Sequence, residues 1–232
     1  KKQLITPTTE PLAQPLAPSP LLPAPSPLPL VPRPTPRIWL YLLIIFLLAA
    51  FMRLWQFKTL PFGVWYDEAE NAIQTMRYMA MTSAWPIISN SRFPPPGHYL
   101  FLISLAFRAF GVSVYAVRAV SVAMGLLMVL AGYLVGRELF GRPAGVMLAF
   151  LLAVARWSVN ISRFGMYNVS TPLCALLTTG FLLRGLRRER YVDFALAGFC
   201  FGIGFCIYAA FQLFVGVIFL FLVALLIFER EL

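Results

Sequence analysis

From Ile38 to Met52 the chain carries no charged side chain, and Leu54 and Trp55 extend the run past one arginine, Arg53. A helix at a protein–water surface keeps a polar face, so a stretch that is apolar on every side must lie in lipid or deep in protein. Comparable runs recur over 115–136, 143–160, 172–185, 193–209 and 212–228. Crossing a bilayer core takes roughly 20 apolar residues. The segment 38–57 supplies them, with Trp39, Tyr41 and Trp55 near its ends as interfacial anchors. Charged residues make up only 12% of the chain, where soluble domains carry about 25%. That shortage excludes an ordinary cytosolic enzyme, a disordered chain and a disulfide-stapled secreted domain. The fold class is an all-α, polytopic transmembrane bundle.

The net charge of +10 records topology rather than nucleic-acid binding, because the basic residues fall between apolar segments. Arg33 and Arg37 flank the first span and place the N-terminus in the cytoplasm. The pair Arg137 and Arg142, and the cluster Arg187, Arg188 and Arg190, also belong inside. Both clusters fall inside only if the segment 98–110 does not cross, and its length suits an interfacial or re-entrant helix. The expectation is therefore about six spans. Residues 58–114 form the first extracytoplasmic loop, 161–171 the second, and Tyr208–Gln212 a short third. Most of the 19 prolines lie in 1–37, which reads as an extended cytoplasmic tail, a linker rather than an SH3-type ligand or a signal peptide. Residues 38–232 form the membrane domain. The missing initial methionine and the ending just past a span read as a piece of a longer protein. Cys174, Cys200 and Cys206 sit in apolar runs and read as small buried hydrophobes.

The first outer loop concentrates the chemistry. Ala69, Ala72, Ile73, Met76 and Ala80 fall at helical spacing, with Asp67, Glu70, Asn71, Gln74 and Arg77 on other faces. That pattern predicts an amphipathic helix over 67–80 in the headgroup plane. Asp67 and Glu68 open it. They either complement the helix dipole or supply a general base or metal-binding carboxylate at the membrane surface. Neighbouring residues point in different directions, so one of the two need face a reaction centre. Pro94-Pro95-Pro96 leads into His98 and Tyr99, and His98 reads as a structural hydrogen-bonder or a catalytic group. Arg118, Arg156 and Arg163 sit at outer span ends, against the positive-inside bias. They either snorkel or clamp phosphate with a planar guanidinium. Asn168-Val169-Ser170 matches the N-glycosylation pattern but lies too near the span at 172 for ready modification.

With those residues in view, the chain resembles polytopic glycosyltransferases of the GT-C fold, in the bacterial branch related to protein O-mannosyltransferases and lipid A aminoarabinose transferases. The resemblance rests on a first span ending in Arg53 and on Leu60-Pro61-x-Gly63 before Asp67-Glu68-Ala69. It continues through a proline-led helix, Gly111-x-Ser113 followed by Arg118, Gly136-Arg137-x-Leu139-Phe140-Gly141, and Ser162-Arg163-x-Gly165. It covers about 38–185. It implies transfer of a sugar from a polyprenyl-phosphate donor to a lipid, glycan or protein hydroxyl on the non-cytoplasmic face, with inversion. The setting it implies is a bacterial plasma membrane, with two juxtamembrane helices in the first outer loop. Asp67 inherits the main catalytic role, with Glu68 as the nearest second carboxylate. Arg163 and Arg118 are the donor-phosphate candidates. Tyr66, His98, Tyr99 and Asn168 are site-lining candidates. The resemblance fixes no cofactor; a divalent metal is an open alternative and would fall to Asp67. The chain departs from the family where His-Pro-Pro or Lys-Pro is replaced by Pro94-Pro95-Pro96, and where a second aspartate is replaced by Asn168. A polyprenyl-lipid or glycan transporter and a non-catalytic relative are the rival readings. Transporters place functional charges at mid-membrane, whereas the acidic residues here cluster in an outer loop.

Overall fold

In the computed structural model, which describes residues 36–81 and 96–228, every regular element is helical. The order is α1 (Pro36–Leu54), α2 (Tyr66–Ala80), α3 (Gly97–Phe110), α4 (Val114–Phe140), α5 (Arg142–Val154) and α6 (Arg156–Arg163). A 3-10 turn at Tyr167–Val169 precedes α7 (Ser170–Arg188), α8 (Tyr191–Ile207) and α9 (Phe211–Phe228). Most of the proline-rich tail, and Pro94 and Pro95 of the proline triplet, lie outside the described residues.

Helix α4 is the axis of the bundle. Ser113 caps it by accepting the Ala116 amide at 3.2 Å, which satisfies one of the orphan donors of the first turn. Gly141, at φ +90°, ends it and turns the chain directly into α5, where Pro143 occupies the first turn. The α4–α5 crossing is close because glycine meets glycine. A Cβ on Gly136 would stand 2.8 Å from the Gly145 Cα and 2.9 Å from the Ala144 carbonyl oxygen. Small residues of this kind bring membrane helices into backbone contact where lipid supplies no hydrophobic drive between them. Tyr99, Leu100, Ile103 and Phe107 of α3 pack with Val117, Met124 and Met128 of α4 into one buried cluster. Leu42, Ile45 and Ala49 of α1 pack with Val129, Ala149 and Ala153 into a second.

Three helices are long and apolar enough to cross a membrane: Arg37–Leu54, Val114–Phe140 and Tyr167–Arg188. The pair Arg142–Val154 and Arg156–Arg163, bent by 55°, makes a fourth if it counts as one span. The protein is thus an integral membrane protein with three or four helices of spanning length among the described residues. The expected segments at 193–209 and 212–228 are present as α8 and α9, but both are shorter apolar helices. The expected continuous span over 143–160 is instead broken at Ala155 (φ −57°, ψ 123°). The segment 98–110 lies in a helix of 14 residues, Gly97–Phe110, about 21 Å long at 1.5 Å per residue, which packs on α2 and α4.

The two arginine-rich connections share one end of the bundle. Arg188 reaches Glu138 at 4.0 Å, Arg137 pairs with the same carboxylate, and Arg184 pairs with Asp193 across the α7–α8 turn. Tyr41, near the start of α1, shares a groove there with Pro143. Asp67, Arg118, Arg163 and Tyr208 gather at the opposite end. Cys174 and Cys200 are buried as expected, but Cys206, on α8, is exposed.

Candidate active site

The chain between α1 and α4 is anchored by one buried ion pair. Glu68 and Arg118 are both buried, at 0% and 2% exposure. One Glu68 oxygen accepts Arg118 Nε at 2.7 Å and the Gly165 amide at 2.8 Å. The other accepts Arg118 Nη2 at 2.9 Å and the Trp65 amide at 3.0 Å. Arg118 also donates to the carbonyls of Pro61 at 3.1 Å and Gly63 at 2.7 Å. Every carboxylate lone pair in reach has a donor, which is the condition for a buried charge to be tolerated. Burial alone would raise the Glu68 pKa, but the hydrogen bonds from Arg118, Gly165 and Trp65, with the charge of Arg118, outweigh it and hold the carboxyl below its usual range.

Helix α2 turns a polar stripe inward. Glu68, Asn71 and Thr75 are buried, while Ile73, Met76 and Met79 stay exposed. Asn71 Nδ2 donates to the Gly165 carbonyl at 2.9 Å, and Thr75 donates back to the Asn71 carbonyl at 2.7 Å. Trp65 meets Phe164 edge-on, ring centres 5.5 Å apart. The start of α2 and residues 164–165 are thereby stitched together at three points. The spacing 68, 71, 75 is itself a helical stripe, but a polar stripe ordinarily marks a solvated face, so its burial carries no signal in the sequence. Nor does the role of the Gly165 backbone.

Asp67 is exposed, unlike its neighbour, and no hydrogen bond holds its carboxylate among the described residues. It lies within electrostatic reach of the Tyr167 phenol. Tyr66 is 79% exposed. Tyr99 is fully buried, and its hydroxyl shares a 2.8 Å hydrogen bond with Ser121, which donates on to the Met166 carbonyl. His98, at the start of α3, is half-buried. Its Nε2 is buried without a hydrogen-bond partner among the described residues, and burial holds the imidazole below its usual pKa. Asn168 is half-buried in the 3-10 turn.

Arg163 sits apart from the Glu68–Arg118 pair. It donates to the carbonyls of Met52 at 3.0 Å, Trp55 at 2.6 Å and Leu60 at 3.1 Å, so it closes the C-terminal end of α1. It also lines a pocket of about 460 Å³ walled by Phe51, Trp55, Leu60, Val159 and Phe164. The pocket is apolar apart from Arg163, Asn160 and backbone. Among the described residues no three His, Cys, Asp or Glu side chains converge on a common point.

The match to one family model, together with the all-helical membrane bundle, supports a polytopic membrane glycosyltransferase of the GT-C-like class. Within that class the chain belongs to the dolichyl-phosphate-mannose-protein mannosyltransferase family, whose pattern matches residues 94–231. The matched stretch contains Arg118 and Arg163 and begins after Asp67 and Glu68. No curated protein and no solved structure matches the chain.

Proposed function

We propose that this protein transfers a sugar from a polyprenyl-phosphate donor to a hydroxyl acceptor on the non-cytoplasmic face of its membrane. The branch it fits is the bacterial one that includes protein O-mannosyltransferases and lipid A aminoarabinose transferases. The observation that carries the reading is the contrast between adjacent carboxylates. Glu68 is immobilised by four donors, whereas Asp67 is exposed at the same helix start with no hydrogen bond of its own among the described residues. The loop is held rigid and one acidic group is left to act.

In this reading α1, α4, the bent α5–α6 pair, α7, α8 and α9 are six spans, with α2 and α3 as juxtamembrane helices on the outer side. The exposed apolar residues of α2 then face lipid, and its polar stripe faces protein. The Arg137–Arg190 end is cytoplasmic. The donor's lipid chain reaches the site sideways from the bilayer, and the apolar pocket beside α1 is suited to its first prenyl units. Arg163 meets the phosphate there. Arg118, whose charge is already paired with Glu68, serves as a positioning residue, and Glu68 does the same, whereas Arg163 bonds only to neutral carbonyls and keeps its charge for the phosphate.

The chemistry needs one base. Asp67 takes the proton of the acceptor hydroxyl as its oxygen bonds to the anomeric carbon. The bond from that carbon to the phosphate oxygen breaks on the opposite face, so configuration inverts. The electron pair leaves with polyprenyl phosphate, whose growing charge Arg163 offsets. Phosphate leaves without full protonation, so a second acid is not essential, and Asn168 in place of an aspartate is compatible with turnover.

The test is sugar transfer from labelled polyprenyl-phosphate sugars in membranes containing the full-length protein, alongside Asp67→Asn and Arg163→Ala. Transfer by the wild type that is lost in Asp67→Asn at equal insertion is the expected result. Wild-type rates in Asp67→Asn refute the assignment. An inserted wild type that is inert toward every donor points to the transporter or non-catalytic reading.

A further inference from the structure

Three tyrosines run in a line from the core to the Asp67 end of the bundle. Tyr99 of α3 is buried, and its ring meets Tyr167 edge-on with centres 6.0 Å apart. Tyr167 in turn meets Tyr208 at 5.7 Å, interplanar angle 63°. Tyr208 closes α8 in extended backbone, φ −150° and ψ 136°, and remains 37% exposed. The turn behind it is fixed by Phe211, which is fully buried against Phe201 and in contact with Gly204. The third outer turn, too short to carry chemistry by its sequence, thus delivers one ordered phenol to the edge of the site.

The position of Tyr167 gives that line a purpose. The strand of chain from Arg163 to Tyr167 carries the guanidinium at one end and the phenol at the other. Gly165 between them is bonded on both backbone sides to α2, through Glu68 and Asn71. The fixed loop therefore holds Tyr167 beside the start of α2, where Asp67 stands. Tyr167 interacts electrostatically with both Asp67 and Tyr208, so a donor held by its phosphate at Arg163 and facing Asp67, as proposed above, would carry its sugar along this loop.

We propose that Tyr167 and Tyr208 form the wall of the sugar subsite, with Tyr208 as the contact that selects which sugar is transferred. This rests on the reading of the site given above. A sugar ring presents C–H edges and hydroxyls together. A tyrosine answers both, with an aromatic face and a phenol that donates and accepts. Such a residue at a pocket edge fixes orientation without taking part in the proton transfer. Tyr99 and Ser121 support the wall from behind by bonding to each other and to the Met166 carbonyl.

The experiment compares wild type, Tyr208→Phe and Tyr208→Ala, full length and in membranes. It measures the KM for each labelled polyprenyl-phosphate sugar and the inhibition constant of polyprenyl phosphate lacking a sugar. The expected result is a KM raised about tenfold in Tyr208→Ala, the size of one aromatic contact with one hydrogen bond. The inhibition constant should stay at its wild-type value, and Tyr208→Phe should recover the stacking share alone. The ranking of hexose against pentose donors should change in both variants. Unchanged KM and ranking in Tyr208→Ala overturn the proposal. So does an equal rise in KM and inhibition constant, which would mark a structural role. A wild type inert toward every donor removes the underlying reading and this assignment together, and is told apart by the absence of any wild-type rate.

Discussion

Glu68→Gln should strongly destabilise this protein, while Asp67→Asn, one residue away, should leave its stability intact. The size follows from the geometry. Each Glu68 oxygen accepts two hydrogen bonds, one from Arg118 and one from a backbone amide. Glutamine keeps one oxygen and puts an NH₂ in place of the other. In either orientation two of the four bonds become donor against donor, and Arg118 is left as an uncompensated charge at 2% exposure. Removing one partner of a buried ion pair costs about 3–5 kcal/mol. For a domain of this size each kcal/mol lowers Tm by about 2–4 °C, which gives about 6–20 °C. The assay is a thermal melt in one detergent, read beside a double-mutant cycle. Glu68→Leu combined with Arg118→Leu should be less destabilised than the sum of the single variants, because removing both leaves no stranded charge. A Glu68→Gln melt within about 2 °C of wild type would sink the argument, since it would mean that no charge is stranded when this pair is broken.

The depressed Glu68 pKa makes a linked statement about acid. A carboxyl lowered in the folded state stabilises above its unfolded value, about 4.3, and loses that contribution as pH falls through the folded value. Melting temperature should hold from pH 7 to about 5 and fall below about 4, and the Glu68 share of that fall should vanish in Glu68→Gln. Gly136→Ala should cost about 1–3 kcal/mol by overpacking, because its new methyl meets the α5 backbone, which cannot rotate away. Gly198→Ala, which meets nothing within 4 Å, should hold or slightly raise Tm in the same melts, as alanine favours a helix by up to about 1 kcal/mol.

The helices were legible from apolar runs and the turns from Gly141 and the arginine clusters, because lipid makes composition track position closely. The segment expected as a helix over 67–80 is found at Tyr66–Ala80, since its periodicity and its acidic first turn both report local structure. The pairing of Glu68 with Arg118 was not legible, because the partners lie 50 residues apart and an arginine at a span end looks the same whether it meets lipid phosphate or a buried carboxylate. The break at Ala155 was equally hidden. The stretch Leu151-Leu152-Ala153-Val154-Ala155-Arg156 holds no proline or glycine, and what permits the bend is a side chain from elsewhere, Arg53. Tyr208 gave no signal either, as its place beside Tyr167 depends on how α7 and α8 pack.

Arg53 reaches the carbonyls of Leu152 and Ala153 at 3.2 and 3.1 Å and Ser158 Oγ at 2.8 Å, while Arg163 reaches back to the carbonyls at the end of α1. Each arginine thus closes the helix end that the other's segment leaves open, where cations are favoured by the exposed carbonyls. The exchange has a consequence for biogenesis. During synthesis Arg53 emerges well before Ser158, at a sequence separation of 105. Through that interval, of the partners Arg53 holds in the folded protein only the Ala49 carbonyl of its own helix has been made. The lock between α1 and the α5–α6 bend therefore closes only after the chain has returned to it, some 100 residues later.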